Sequence, residues 1–124
     1  MSRKILVVED SDDNRRILRD LFSMAGYDVI EAHDGAEGVG MAGGHKPDLI
    51  LMDIQMPVMD GYGATRLIKA DPTLKAIPVI AVTSYALSGD EEKARTAGCD
   101  GYIAKPMRYQ EFLAAIAAQL APPT

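Results

Sequence analysis

The sequence predicts an α/β fold: a doubly wound, five-stranded parallel sheet with five helices. Short apolar runs alternate with helical patterns along the whole chain. Two of the runs, Ile-Leu-Val-Val at 5–8 and Leu-Ile-Leu-Met at 49–52, contain no polar residue and read as buried strands. Between the runs, apolar residues recur at helical spacing.

The run at 5–8 is the first strand. Residues 14–25 follow as a helix with Ile17, Leu18, Leu21 and Phe22 on one face, and Gly26 ends it just past the C-cap. Residues 28–32 form a half-polar strand, expected near a sheet edge. Residues 36–44 should be the second helix. Gly38, Gly40, Gly43 and Gly44 make it poor, since each interior glycine costs about 1 kcal/mol relative to alanine. It is expected to be the least stable helix. Pro47-Asp48 introduces the third strand at 49–52, and Met56-Pro57-Val58-Met59-Asp60-Gly61 reads as a loop. Residues 62–70 are the third helix and 78–82 the fourth strand. Ser88-Gly89-Asp90-Glu91 opens the fourth helix with acids in its first turn, and Gly98 ends it. Residues 101–104 are a short fifth strand. The last helix, 108–120, turns Phe112, Leu113, Ile116 and Leu120 inward, and 121–124 is a tail.

A length of 124 residues suits one domain, 1–124, with a core of about 3–120. No linker, repeat or low-complexity segment marks a second domain, so no attached output domain is expected. The net charge of −5 argues against a nucleic-acid partner, which needs a basic face. Cys99 is the single cysteine, which excludes an internal disulfide and fits a reducing, cytoplasmic compartment. No apolar stretch approaches the roughly 20 residues of a membrane span, and no signal peptide precedes the first strand.

Ligands of such folds bind outside the carboxyl ends of the strands. Glu9, Asp10, Asp53, Thr83 and Lys105 stand there, each just after an apolar run. Glu9, Asp10 and Asp53 would crowd three carboxylates into one pocket, which is costly unless a cation sits among them. The set reads as a phosphoryl-transfer site. Asp10 and Asp53 supply hard oxygen ligands for Mg²⁺, and Glu9 would hold a metal-bound water. A backbone carbonyl near Gln55 could complete the protein ligands. Lys105 offers a point charge for a phosphate oxygen, and Thr83 a hydroxyl for the same group. Carboxylates that form aspartyl phosphates are a recognised class of nucleophile. The central strand places Asp53 nearest both metal and lysine, which selects it.

Glu9-Asp10, Asp53 with Met56-Pro57 and Asp60-Gly61, Thr83-Ser84, and Lys105-Pro106 together resemble the receiver domain of bacterial two-component response regulators. The resemblance covers essentially the whole chain, in order and spacing. It is strongest to stand-alone, single-domain receivers of the CheY and DivK kind. It implies the flavodoxin-like strand order 2-1-3-4-5 and a phosphorelay switch with Asp53 as phosphoacceptor. It implies Mg²⁺ on Asp10, Asp53 and the Gln55 carbonyl, and Thr83 and Lys105 against the phosphoryl group. It implies that Tyr102 swings inward when Thr83 moves, and that the Lys105–Pro106 bond is cis. The donor would be a sensor histidine kinase or a histidine phosphotransfer protein, meeting the helix of Asn14, Ile17, Leu18 and Leu21. The output would be a partner protein on the face of the fourth helix, fifth strand and fifth helix, with the chain a monomer or a phosphorylation-dependent dimer. Gln55 and Tyr85 hold positions that tune dephosphorylation in this family. Gly63 departs from the acid that many relatives carry there.

Plainer readings stand beside these. Glu9-Asp10 alone could be a helix cap, and Asp12 and Asp13 are expected to cap the first helix. Lys105 could be a surface lysine, Thr83 a strand end and Tyr102 a surface tyrosine. Cys99 reads as a small buried hydrophobe, and His33 and His45 as exposed residues without a metal role. The rival function is an aspartyl-nucleophile phosphatase using Asp10 in Asp10-Ser11-Asp12. It would want a threonine where Asn14 stands, and an acidic pair after Lys105, where only Glu111 follows. A flavodoxin-like nucleotide binder would need a glycine- and hydroxyl-rich loop after the first strand. Glu9-Asp10-Ser11-Asp12-Asp13 repels anions instead. An inactive receiver used only for docking is opposed by the intact five-residue set.

Overall fold

The computed structural model describes residues 3–53, 61–83, 90–104 and 109–120. The elements run β1 Lys4–Val8, α1 Asp12–Met24, β2 Asp28–Ala32, α2 Gly35–His45, β3 Leu49–Asp53, α3 Gly61–Ala70, β4 Val79–Thr83, α4 Asp90–Ala97, β5 Gly101–Ala104 and α5 Tyr109–Leu120. All pairings are parallel, and the sheet order is β2-β1-β3-β4-β5. Half-polar β2 is an edge strand and apolar β3 is central, as the sequence expected.

Because strand side chains alternate, each apolar run feeds two cores. Ile5, Val7, Leu49, Leu51, Ile80, Val82 and Ile103 meet Leu18 and Phe22 of α1 and Phe112 and Ile116 of α5. Leu6, Val8, Ile50, Met52 and Val79 meet Ala42 of α2 and Ala64 and Ile68 of α3. Ala81 meets Ala94 of α4. Helices therefore cover both faces, as a parallel sheet needs. Phe22 joins α1 to α5 through a tilted contact with Phe112, the ring centroids 5.7 Å apart.

Three expectations about α1 need correction. The helix begins at Asp12, two residues earlier than its apolar pattern indicated, because Ser11 caps it. The Ser11 hydroxyl accepts the Asn14 N–H at 3.3 Å, and Asp12 and Asp13 occupy the first turn rather than the cap. Ile17 does not join the buried face and is 47% exposed. Leu18 and Phe22, one full turn apart, already fill the seat on the sheet, with Leu21 beside them.

Helix α2 is better anchored than its glycines indicate. Asp34 accepts the Glu37 N–H at 2.7 Å, and the Glu37 carboxylate reaches back to the His33 N–H at 3.0 Å, a reciprocal cap. Gly38 packs on β1 so closely that a Cβ there would lie 2.8 Å from Val8 Cγ2. Gly40, Gly43 and Gly44 face open space. His33 and His45 are exposed, as read from the sequence. Cys99 is half-buried rather than buried, its thiol 3.7 Å from Thr65 Oγ1. No helix among the described residues is long and apolar enough to cross a membrane.

Candidate functional site

The sheet reverses its strand order between β1 and β3, and the carboxyl ends of these strands flank that switch point. Val8 pairs with Met52 at the last shared position. Glu9 and Asp53 each stand one residue beyond, so register alone sets them side by side. Glu9 continues β1 by one rung, its N–H donating to the Ala32 carbonyl at 3.1 Å. Asp10 follows at the surface.

Glu9, Asp10 and Asp53 each offer a carboxylate oxygen, and these oxygens all lie within 4.8 Å of one another. Glu9 is only 4% exposed. Its Oε1 accepts from Asn14 Nδ2 at 2.8 Å, while its Oε2 is buried without a hydrogen-bond partner. A small cavity of about 10 Å³, lined by Val7, Val8, Glu9, Leu18, Leu51, Asp53 and Val82, closes the floor. It holds no more than a water, and of the three acids only Asp10 is exposed. An orphaned buried carboxylate oxygen beside two more carboxylates fits a hard divalent cation, which takes oxygen ligands and retains water.

The other expected site residues divide by what is described. Asp53 pairs in register with Val82, and Thr83 follows at the same edge, its backbone beside Ala104. The sheet thus carries the Thr83 backbone to the site. Gln55, Ser84, Tyr85, Lys105 and Pro106 lie outside the described residues, as do Met56, Pro57 and Asp60. Tyr102 pairs with Ala81 and is half-buried against the Ala81–Ala94 contact.

Two residues with a structural part in this site escaped the sequence reading in that role. Asn14 holds the Glu9 side chain, and Arg15 Nη1 donates to the Glu9 carbonyl at 2.8 Å. Arg15 also pairs with Asp12 and lies 3.6 Å from Glu31 of β2, which Arg19 approaches from its other oxygen. The signal was present as Asn14-Arg15 one turn after Glu9-Asp10. Starting α1 at Asn14 hid it, because only a helix beginning at Asp12 folds that turn back over the end of β1.

A doubly wound parallel sheet with clustered carboxylates at its switch point is the frame of a signalling receiver. The chain belongs to the response regulator receiver domain family, whose model matches residues 5–117. It is 43% identical over 120 residues to the polar-differentiation response regulator DivK of Brucella anthropi, covering 97% of this chain and 98% of that protein. Among solved structures it is similar to the receiver domain of the sensor histidine kinase PA1611 of Pseudomonas aeruginosa PAO1, with a TM-score of 0.89 and 37% identity over 97% of this chain and 98% of that one. That structure has a magnesium ion coordinated in its active site cleft. The chemotaxis protein CheY4 of Vibrio cholerae superposes with a TM-score of 0.91 at 27% identity, over 97% of this chain and 100% of that one.

Proposed function

We propose that this receiver is a phosphorelay switch in which Asp53 accepts a phosphoryl group in a Mg²⁺-dependent reaction. The observation that carries the reading is the cluster of Glu9, Asp10 and Asp53 with its one orphaned, buried oxygen. Asp10, Asp53 and the Gln55 carbonyl would hold Mg²⁺, and Glu9 would hold a water bound to it. The ion supplies charge neutralisation for a pocket that would otherwise repel a phosphoryl donor. The Asp53 carboxylate attacks phosphorus, forming the P–O bond as the bond from phosphorus to the donor's histidine nitrogen breaks. Lys105 and the Thr83 hydroxyl receive the phosphoryl oxygens.

Phosphorylation adds about −1.5 to −2 charge at Asp53. Drawing Thr83 toward that charge moves the end of β4, and Tyr102, one strand away on β5, fills the vacated space. The face of α4, β5 and α5 is repacked, a shift between two packings that biases a partner protein's binding. The donor is a sensor histidine kinase or a histidine phosphotransfer protein that meets α1. The chain acts as a single domain over 1–124 in the cytoplasm, as a monomer or a phosphorylation-dependent dimer. It is a switch rather than a turnover enzyme, with no nucleic-acid or membrane partner.

Incubation with acetyl phosphate and Mg²⁺, followed by intact-protein mass spectrometry, tests this. A labile adduct of one phosphoryl group should form, fail to form when EDTA is present from the start, and be absent in Asp53→Asn. Continuous turnover lost chiefly in Asp10→Asn would instead establish the phosphatase reading.

A further inference from the structure

Glu9 occupies an unusual position for a buried acid. One oxygen accepts a hydrogen bond and the other has no partner. What engages it is a neutral amide, not a cation. A carboxylate only accepts, so the Asn14 amide must face it with its NH₂ group. An arginine or lysine there would satisfy Glu9 too, but it would cancel the negative charge of the pocket. Arg15, the next residue, does carry a cation, yet it turns that charge to the Glu9 carbonyl, Asp12 and Glu31. The first turn of α1 therefore fixes the strand end through Arg15 and the carboxylate through Asn14, leaving the pocket's charge intact.

We infer that Asn14 is a positioning residue for the cation site: it locks the Glu9 carboxylate so that Oε2 is presented, unpartnered, to the metal's hydration shell. Groups that orient metal ligands commonly set affinity as strongly as weak ligands do. Asn14 itself has no other side-chain task among the described contacts, since the α1 cap uses its main-chain N–H and the Ser11 hydroxyl. The inference rests on the Mg²⁺ reading above.

Titration calorimetry with MgCl₂ on the whole, unphosphorylated chain tests it without any activity measurement. Asn14→Ala should weaken Mg²⁺ binding about 10-fold. Asn14→Leu, which refills the volume without a donor, should do the same. In a Glu9→Gln background, Asn14→Ala should change affinity by less than about two-fold, because Asn14 acts only through Glu9. Thermal melts without metal identify any variant that fails to fold, and the remaining one decides the question. Unchanged affinity in the folded variants, or an equal loss in both backgrounds, would overturn the role of Asn14 while leaving the Mg²⁺ site standing. A wild-type chain that binds no Mg²⁺ would remove both.

Discussion

The two ends of the sheet treat charge in opposite ways. At the amino end, Lys69 of α3 donates from one ammonium to the Lys75 carbonyl at 3.0 Å, the Ile77 carbonyl at 2.8 Å and Asp100 Oδ2 at 2.7 Å. The same Asp100 oxygen accepts the Val79 N–H at 2.9 Å. Every donor of Lys69 is used, and its stem lies so close under Gly98, at φ 108°, that a Cβ there would meet Lys69 Cγ at 2.8 Å. At the carboxyl end three carboxylates converge, and one buried oxygen is left without a partner. A charge held for stability is saturated, whereas a charge held for a ligand is kept open. The open end is tolerable because the closed end, the two cores and the capped helices supply the stability it lacks.

The largest test of that contrast is at the closed end. Lys69→Met should lower unfolding free energy by about 2 kcal/mol, since two of the three hydrogen bonds lost are exposed and screened, read by urea denaturation. It should leave Mg²⁺ affinity unchanged. Gly38→Ala is expected to cost about 2 kcal/mol by overpacking against Val8. Because Val8 immediately precedes Glu9, this variant, unlike Lys69→Met, should weaken Mg²⁺ binding as well. Glu9→Gln should do the reverse in the metal-free protein. It removes a like charge and turns an amide donor toward Asp10 and Asp53, raising stability by about 1 kcal/mol. The rise in melting temperature on adding Mg²⁺ should shrink in the same variant. Gly40→Ala, with open space at its Cβ, should stabilise by about 0.5–1 kcal/mol and leave both ends of the sheet untouched.

The smallest effect concerns Cys99, close to the Lys69–Asp100 pair. Burial chiefly, and then the nearby Asp100 charge, raise its thiol pKa above the ordinary 9.0, opposed by the Thr65 hydrogen bond and by Lys69. A pKa raised by folding means that the neutral thiol's contribution is complete below the unfolded value and is lost as pH rises through the folded one. Unfolding free energy should therefore fall relative to Cys99→Ala only above pH 9.0. A difference that grows toward acid pH would contradict this.

Much of this was legible in the chain. Short apolar runs alternating with helical patterns read as strands of a parallel sheet covered on both faces, which places every candidate residue at one edge. The Glu9-Asp10 and Asp53 pairing was readable because strand ends in such a sheet are fixed by register. Helix ends were less so. Asp12 and Asp13 read as caps because acids favour that place, but the neighbouring Ser11 took it. Ile17 read as core because periodicity specifies a face, not how wide a face the sheet will seat. The glycines of α2 read as uniform weakness, although only one of the four, Gly38, is demanded by a close approach.

The sequence by itself determined the layer architecture, the position of the acids and the family of the chain, since these depend on local pattern and strand order. The tertiary structure alone decided which oxygen of Glu9 is engaged and which is open, and that Asn14 and Arg15 divide the work of holding it. It also decided that Lys69 closes the opposite end. Each of these depends on where a side chain meets a residue far along the chain, or on the turn by which a helix folds back over its strand. No local pattern encodes such distances.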